Sequence, residues 1–291
     1  MNILVIGGTR FFGIPMVNAL LDAGHDVTIA TRGIAHDDYG NKVKRIVFDR
    51  ANQESVQKAF HGVHYDVVID KIAYCSNDIK CVVEAIDCDK YIHMSTTAVY
   101  NPKHMNIFEE EYDGLNNEII WCDRNEFSYD EVKRQAENAL CKAFEERKRV
   151  VVRYPVVLGE DDYTKRLFSY VEHIINAIPM NIDNMDAQMS YIHSKEAGEF
   201  IAFLVDKDFS GAINGCASGT ISLREIINYV EEKIGLSAIL SSDGSEMPYN
   251  GEPEFSINTE KAKGLGYSFS DLKNWIFDLL DYYIDQVSTA H

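Results

Sequence analysis

Short apolar runs recur along the first half of the chain at 3–6, 27–30, 45–48, 67–69, 91–94 and 150–153, and amphipathic helical patterns separate them. A strand with apolar side chains on both faces must be covered on both sides. Strands joined through helices run parallel. The pattern therefore predicts an α/β, doubly wound parallel sheet over residues 1–158.

Past residue 158 the clearest elements are helical, at 164–178, 196–206, 223–234 and 272–287, the third opened by a Ser222/Glu225 capping box. Turn residues Gly244, Pro248, Gly251 and Pro253 punctuate the interval between the last two. The expectation is a smaller, mainly helical C-terminal lobe of residues 159–189 and 217–291, with 190–216 returning to the sheet.

The 291 residues carry 46 acidic against 28 basic side chains, a formal charge of −18. Such a chain repels nucleic acid and anionic membranes unless a basic patch intervenes, and no basic run exceeds Arg147-Lys148-Arg149. Neither partner is expected. The cysteines Cys75, Cys81, Cys88, Cys122, Cys141 and Cys216 form no CxxC pair, so neither a metal site nor a disulfide framework is expected. With no apolar run near the ~18–20 residues of a membrane span, the chain reads as soluble and cytoplasmic.

The strongest local signal is the first strand–turn–helix, where residues 3–6 lead into Gly7-Gly8-Thr9-Arg10-Phe11-Phe12-Gly13. Glycine lets the backbone bend sharply and approach a pyrophosphate, and Gly13 allows close packing of helix on strand. The phosphates of a dinucleotide would rest on amides at the helix N-terminus. After the second strand, where an NAD site usually offers an acid to the ribose, this chain has Thr31 and Arg32. A guanidinium there suits a 2′-phosphate, so NADP is the expected cofactor and NAD the alternative. Asp49, after the third strand, is a candidate acceptor for the adenine amino group or a helix cap.

Carbonyl–alcohol redox chemistry needs a group that moves a proton with the hydride. A tyrosine with a lysine one helical turn later can supply it. YxxxK occurs at Tyr129/Lys133, Tyr191/Lys195 and Tyr229/Lys233, so position must choose. Tyr129 follows Ser128, which with Glu131 predicts a capping box, and precedes a stripe of Val132, Ala136, Ala139, Leu140, Ala143 and Phe144. This helix falls between the strand ending in Ser95-Thr96-Thr97 and the strand at 150–153. A hydroxyl, a tyrosine and a lysine thus converge at the carboxyl edge of the sheet.

Nine stretches in order resemble the extended short-chain dehydrogenases/reductases of the NAD-dependent epimerase/dehydratase family, across nearly the whole chain. They are the glycine turn; Asp66-Val67-Val68-Ile69-Asp70; His93 to Tyr100; Tyr129 to Lys133; Arg153 to Gly159; Ser190-Tyr191-Ile192-His193; Gly211-Ala212-Ile213-Asn214; Ser222 to Glu225; and Thr259-Glu260-Lys261-Ala262. The resemblance implies a Rossmann-like sheet with a substrate lobe. It gives Thr96 as the hydroxyl that orients the substrate oxygen and Tyr129 as the acid/base. Lys133 would bind the nicotinamide ribose and lower the tyrosine pKa. Arg50 with Asp49, Ala73, Tyr74, Ser95, Tyr154, Pro155 and Val156 would line the cofactor.

The departures bear on substrate. Arg10 stands where the common GxxGxxG pattern has its middle glycine, as in a divergent, atypical subgroup. Thr96-Thr97-Ala98 replaces the Thr-Asp-Glu of sugar dehydratases, which counts against that elimination. Met189 and the segment 252–256 lack two arginines that usually hold a nucleotide-sugar diphosphate, though Lys165 and Arg166 are candidates to replace them. Three functions follow: an NAD(P)-dependent oxidoreductase on a small substrate of little charge; a nucleotide-sugar epimerase; or a non-catalytic dinucleotide-sensing or RNA- or partner-binding module. For the last, plastid RNA-binding proteins with a similar Gly-Gly-Thr-Arg turn are the precedent. The resemblance also implies a possible homodimer through helices at 78–86 and 129–147.

Overall fold

In the computed structural model, which describes residues 1–289, the chain runs β1 (Asn2–Ile6), α1 (Gly13–Asp22), β2 (Asp26–Thr31), β3 (Lys44–Val47), α2 (Gln53–Phe60), β4 (His64–Asp70), α3 (Ser76–Val83), β5 (Asp87–Thr96) and α4 (Tyr129–Asn138). It continues through β6 (Lys148–Tyr154), β7 (Val156–Leu158), α5 (Arg166–Ile175), β8 (Met180–Asn181), β9 (Tyr191–His193), α6 (Ser194–Val205) and β10 (Gly211–Asn214). The last elements are α7 (Leu223–Ile234), β11 (Ser245–Glu246), α8 (Glu260–Gly264) and α9 (Ile276–Thr289).

Seven strands form one parallel sheet in the order β10-β6-β5-β4-β1-β2-β3. The chain leaves β1 toward β2 and β3, then resumes at β4 on the other side. Beside β1 the connections therefore diverge, and a crevice opens at the carboxyl edge.

Each sheet face has its own core. Ile3, Val5, Val67, Ile69 and Val152 pack with Met16, Val17 and Leu20 of α1 and Phe200, Ile201 and Leu204 of α6. Leu4, Ile6, Val68 and Val151 pack under Val56, Ile79, Val82, Ala136 and Leu140 on the opposite face. Each such buried aliphatic side chain contributes roughly 1.5–3 kcal/mol of transfer free energy. Gly198 lets α6 lie on α1, since a Cβ there would fall 2.6 Å from Met16 N and Phe12 O. A third core, built from Leu167, Tyr170, Val171, Ile226, Val230, Leu280 and Tyr283, belongs to the lobe.

Several expectations need correction. β3 lies at the sheet edge, with Val47 72% exposed, so it is not apolar on both faces in effect. The helix expected at 164–178 is shorter because Lys165 and Ala177 adopt positive φ, 53° and 51°. The one expected from 272 begins as a single 3₁₀ turn and becomes α9 only after Trp275. Ser222 and Glu225 do close a capping box on α7. Ser128 and Glu131 do not, because Glu131 bonds Arg134 and Gln135 instead.

The helices expected at a dimer interface carry the chain's own covering segment, 117–124. Cys122 N–H donates to Ser76 Oγ at 2.8 Å, Ile120 N–H to Gln135 Oε1 at 2.6 Å, and Asn138 Nδ2 to the Glu118 carbonyl at 3.1 Å. Those polar groups of α3 and α4 are satisfied within the chain. No helix among the described residues is long and apolar enough to cross a membrane.

Candidate active site at the carboxyl edge of the sheet

The turn after β1 is shaped by Gly7 and Gly8, with φ of 103° and 98°, and by Gly13, where a Cβ would fall 2.8 Å from Gly8 Cα. Phe11 also takes a positive φ, 54°, a strained choice for an aromatic residue. The Tyr39 hydroxyl ties the following loop to the turn through the Gly8 carbonyl at 2.7 Å. The N–H groups of Thr9, Arg10, Phe11 and Phe12 find no acceptor among the described residues. Free amides at a helix N-terminus suit a phosphate, so this turn fits the pyrophosphate of a dinucleotide.

Arg32 is exposed, makes no hydrogen bond among the described residues, and borders a recess of about 410 Å³ with Ile34, Val47, Phe48, Asp49 and Ser55. Thr31 is engaged locally, its hydroxyl accepting from Gly33 N–H at 3.1 Å. Asp49 likewise accepts from Ala51 N–H at 3.0 Å, in the manner of a turn former.

Arg50 is turned inward. Its guanidinium grips both oxygens of Asp70 at 2.7 Å and the Asp78 carbonyl at 2.6 Å, so it is a structural group and its side chain is not free for a cofactor. Asp70 also accepts from Tyr91 OH at 2.6 Å and from the amides of Ile72 and Ala73 at 3.1 Å. This cluster holds the loop after β4. The Ala73 carbonyl in that loop receives Lys133 Nζ at 3.0 Å, and Met94 O receives the same amine at 2.7 Å.

Lys133 is therefore buried on two carbonyls, and burial lowers its amine to about 8. Tyr129, by contrast, projects into the cleft with 53% of its surface exposed. The cleft walls withdraw its hydroxyl from water and raise the phenol above its ordinary value. The Thr96 hydroxyl beside it opposes that rise, as does the charge of Arg166. The largest influences on the phenol are burial, Thr96, Tyr74, Arg166 and Tyr163. The Lys133 amine is spent on carbonyls one layer below.

Tyr74 stands beside Tyr129, ring centroids 6.2 Å apart, under the Arg124 guanidinium at 4.3 Å. Arg124 is fixed by Asp78 at 2.9 Å and the Ile72 carbonyl at 2.8 Å.

Two further candidates have their side-chain hydroxyls engaged inside the fold. Ser95 is buried with its hydroxyl on Glu137, which pairs with Arg153 at 2.6 Å, so Ser95 belongs to the scaffold. Tyr154 is buried with its hydroxyl on the Ala197 carbonyl at 2.6 Å, while Pro155 and Val156 carry the chain past the edge. The other YxxxK pairs lie elsewhere: Tyr229 and Lys233 share Asp281, and Lys195 pairs with Glu199 on the surface. Three residues that the motifs did not single out border the crevice. Lys71 follows β4, Arg124 covers Tyr74, and Tyr163 meets Phe11 at 6.0 Å between centroids. A basic residue directly after a central strand was the available signal for Lys71.

Residues 3–80 match the NAD dependent epimerase/dehydratase family. A segment of 113 residues is 30% identical to the chloroplast stem-loop binding protein of 41 kDa b from Arabidopsis thaliana, covering 34% of this chain. The chain spans 30% of that relative's length. Among solved structures, the UDP-glucuronic acid 4-epimerase from Bacillus cereus in complex with UDP-glucuronic acid and NAD is similar over all of both chains, with TM-score 0.74 at 20% identity. The UDP-glucose 4-epimerase from Thermus thermophilus in complex with NAD is likewise similar over all of both chains, with TM-score 0.68 at 17% identity. Over residues 3–80 the sequence is that of the NAD dependent epimerase/dehydratase family, and over its whole length the chain shares the fold of these epimerase structures.

Proposed function

We propose that the protein is an NAD(P)-dependent enzyme that oxidises or reduces an alcohol or carbonyl carbon of a small substrate, with Tyr129 as its acid/base. The observation that carries this is the placing of Thr96, at the end of β5, and Tyr129, at the start of α4, on the same side of the sheet as a glycine turn of unbonded amides. A bound nicotinamide supplies the hydride donor or acceptor. The turn amides and Gly7, Gly8 and Gly13 hold the pyrophosphate, and Arg32 meets a ribose 2′-phosphate, which favours NADP. Lys133 has a third N–H beyond its two carbonyl bonds, available to a ribose hydroxyl.

During oxidation, the Tyr129 phenolate accepts the substrate hydroxyl proton while Thr96 orients the oxygen; in reduction, the phenol returns it. The Arg166 guanidinium bonds Thr164 alone, at 3.1 Å, and meets no carboxylate among the described residues, so it is available to a single anionic group on the substrate. Tyr129→Phe should lower turnover by about two to four orders of magnitude and leave NADPH affinity, followed by nicotinamide fluorescence, within about twofold. A raised phenol is protonated at pH 7, so the oxidation rate should climb about tenfold per unit between pH 7 and 9. A flat profile or an active Tyr129→Phe variant would remove Tyr129 from this role.

Epimerisation of a nucleotide sugar is the second reading, favoured by the end-to-end fold likeness to UDP-sugar epimerases. The positions Met189 and 252–256, which lack arginine, count against it. Absence of UDP-sugar binding at millimolar concentration would dismiss it. RNA binding, suggested by the name of the plastid relative, conflicts with the charge of −18; RNA association that survives ~0.2 M salt would restore it.

A further inference from the structure

Lys71 stands at the point where β4 ends beside the glycine turn. Its stem lies against Gly7, where an added Cβ would meet Lys71 Cβ at 3.5 Å, and its ammonium sits 4.2 Å from the centroid of the Phe12 ring. The backbone is held in place, since Lys71 N–H donates to the Ile6 carbonyl at 3.2 Å. The side chain has no hydrogen bond and no carboxylate at ion-pair distance among the described residues. Asp161, in the segment between β7 and α5, is the charged group that acts on it from across the crevice. Burial lowers the amine to about 8, the behaviour of a cation still lacking its counter-charge.

Strand order fixes what such a cation can reach. Along the carboxyl edge the sequence of sites is the Arg32 recess after β2 and β3, the amides after β1, Lys71 after β4, and Thr96 after β5. A dinucleotide laid along that line, adenosine over β2 and nicotinamide toward Thr96, passes its second phosphate beside β4.

We propose that Lys71 is the cation that neutralises the dinucleotide pyrophosphate on its nicotinamide side, a charge added to the amides of the turn. The assignment rests on the dinucleotide reading above. A point charge on the phosphate is chemically reasonable here, since Lys71 follows β4, on the nicotinamide side of the turn that carries Arg10.

Isothermal titration of the whole protein with ADP-ribose, AMP and NADH tests it, using wild type, Lys71→Met and Lys71→Gln. Because the amine makes no hydrogen bond, both variants should keep the wild-type melting temperature, and either suffices if the other misfolds. Loss of the charge should weaken ADP-ribose and NADH about tenfold to a hundredfold and AMP by less than about threefold, since AMP lacks the second phosphate. Unchanged ADP-ribose affinity in a folded variant, or an equal loss for AMP, overturns the assignment of Lys71 alone. Failure of wild type to bind any dinucleotide overturns both this assignment and the cofactor reading.

Discussion

The two edges of the central sheet treat basic residues differently. At the amino edge Lys44 pairs with Asp26 at 2.5 Å, His64 with Asp87 at 3.0 Å, and Lys148 with Asp208. Nearby, Lys90 caps the end of α6 through the carbonyls of Leu204, Val205 and Lys207. At the carboxyl edge the cations divide. Arg50 and Arg153 are buried and paired with Asp70 and Glu137, whereas Arg10, Arg32 and Lys71 have no carboxylate partner among the described residues. In a chain with 18 surplus negative charges, partners for a cation are abundant. Cations left unpaired along one edge are what the proposed binding of an anionic dinucleotide requires.

Three substitutions sharpen or break this contrast. The largest effect belongs to the buried pair: Arg153→Met strands the Glu137 carboxylate, which is 0% exposed, and should cost about 3–5 kcal/mol in urea unfolding. A loss under about 1 kcal/mol would show that the paired cations are not structural. Next, Arg32→Gln should weaken NADPH about tenfold and NADH less than about twofold in fluorescence titrations. Equal losses would assign Arg32 to adenine stacking, and no loss would remove it from the site. Smallest is Lys44→Met at the amino edge, an exposed ion pair whose removal should change stability by less than about 1 kcal/mol and dinucleotide binding not at all. A change in binding would show that the two edges are not independent.

Much of the fold was legible because it rests on periodicity. β1 with its glycine turn, the hydroxyls at the end of β5 and the placement of Tyr129 at the start of α4 follow from local patterns. Side-chain allegiance was not legible. Ser95 and Thr96 are neighbours on one strand, but alternation sends Ser95 inward to Glu137 and leaves Thr96 at the cleft with Tyr129. Arg50 follows Asp49 in sequence, yet its guanidinium crosses to Asp70, 20 residues away. Ser128 and Glu131 have capping-box spacing, but Glu131 finds better partners in Arg134 and Gln135. The segment 117–124 carries no periodic signal, so its path over α3 and α4 was invisible until the chain was folded.

By itself the sequence determined the class of sheet, the glycine turn and the residue types available for redox chemistry, because each depends on spacing along the chain. Tertiary structure decided which charges are spent and which remain free. Pairing depends on distance across the fold, and residues from β1, β4, β5 and α4 meet at one edge only after the strands are ordered. That ordering buries Lys133 on carbonyls, draws Arg50 to Asp70 and leaves Lys71 unpaired above Gly7.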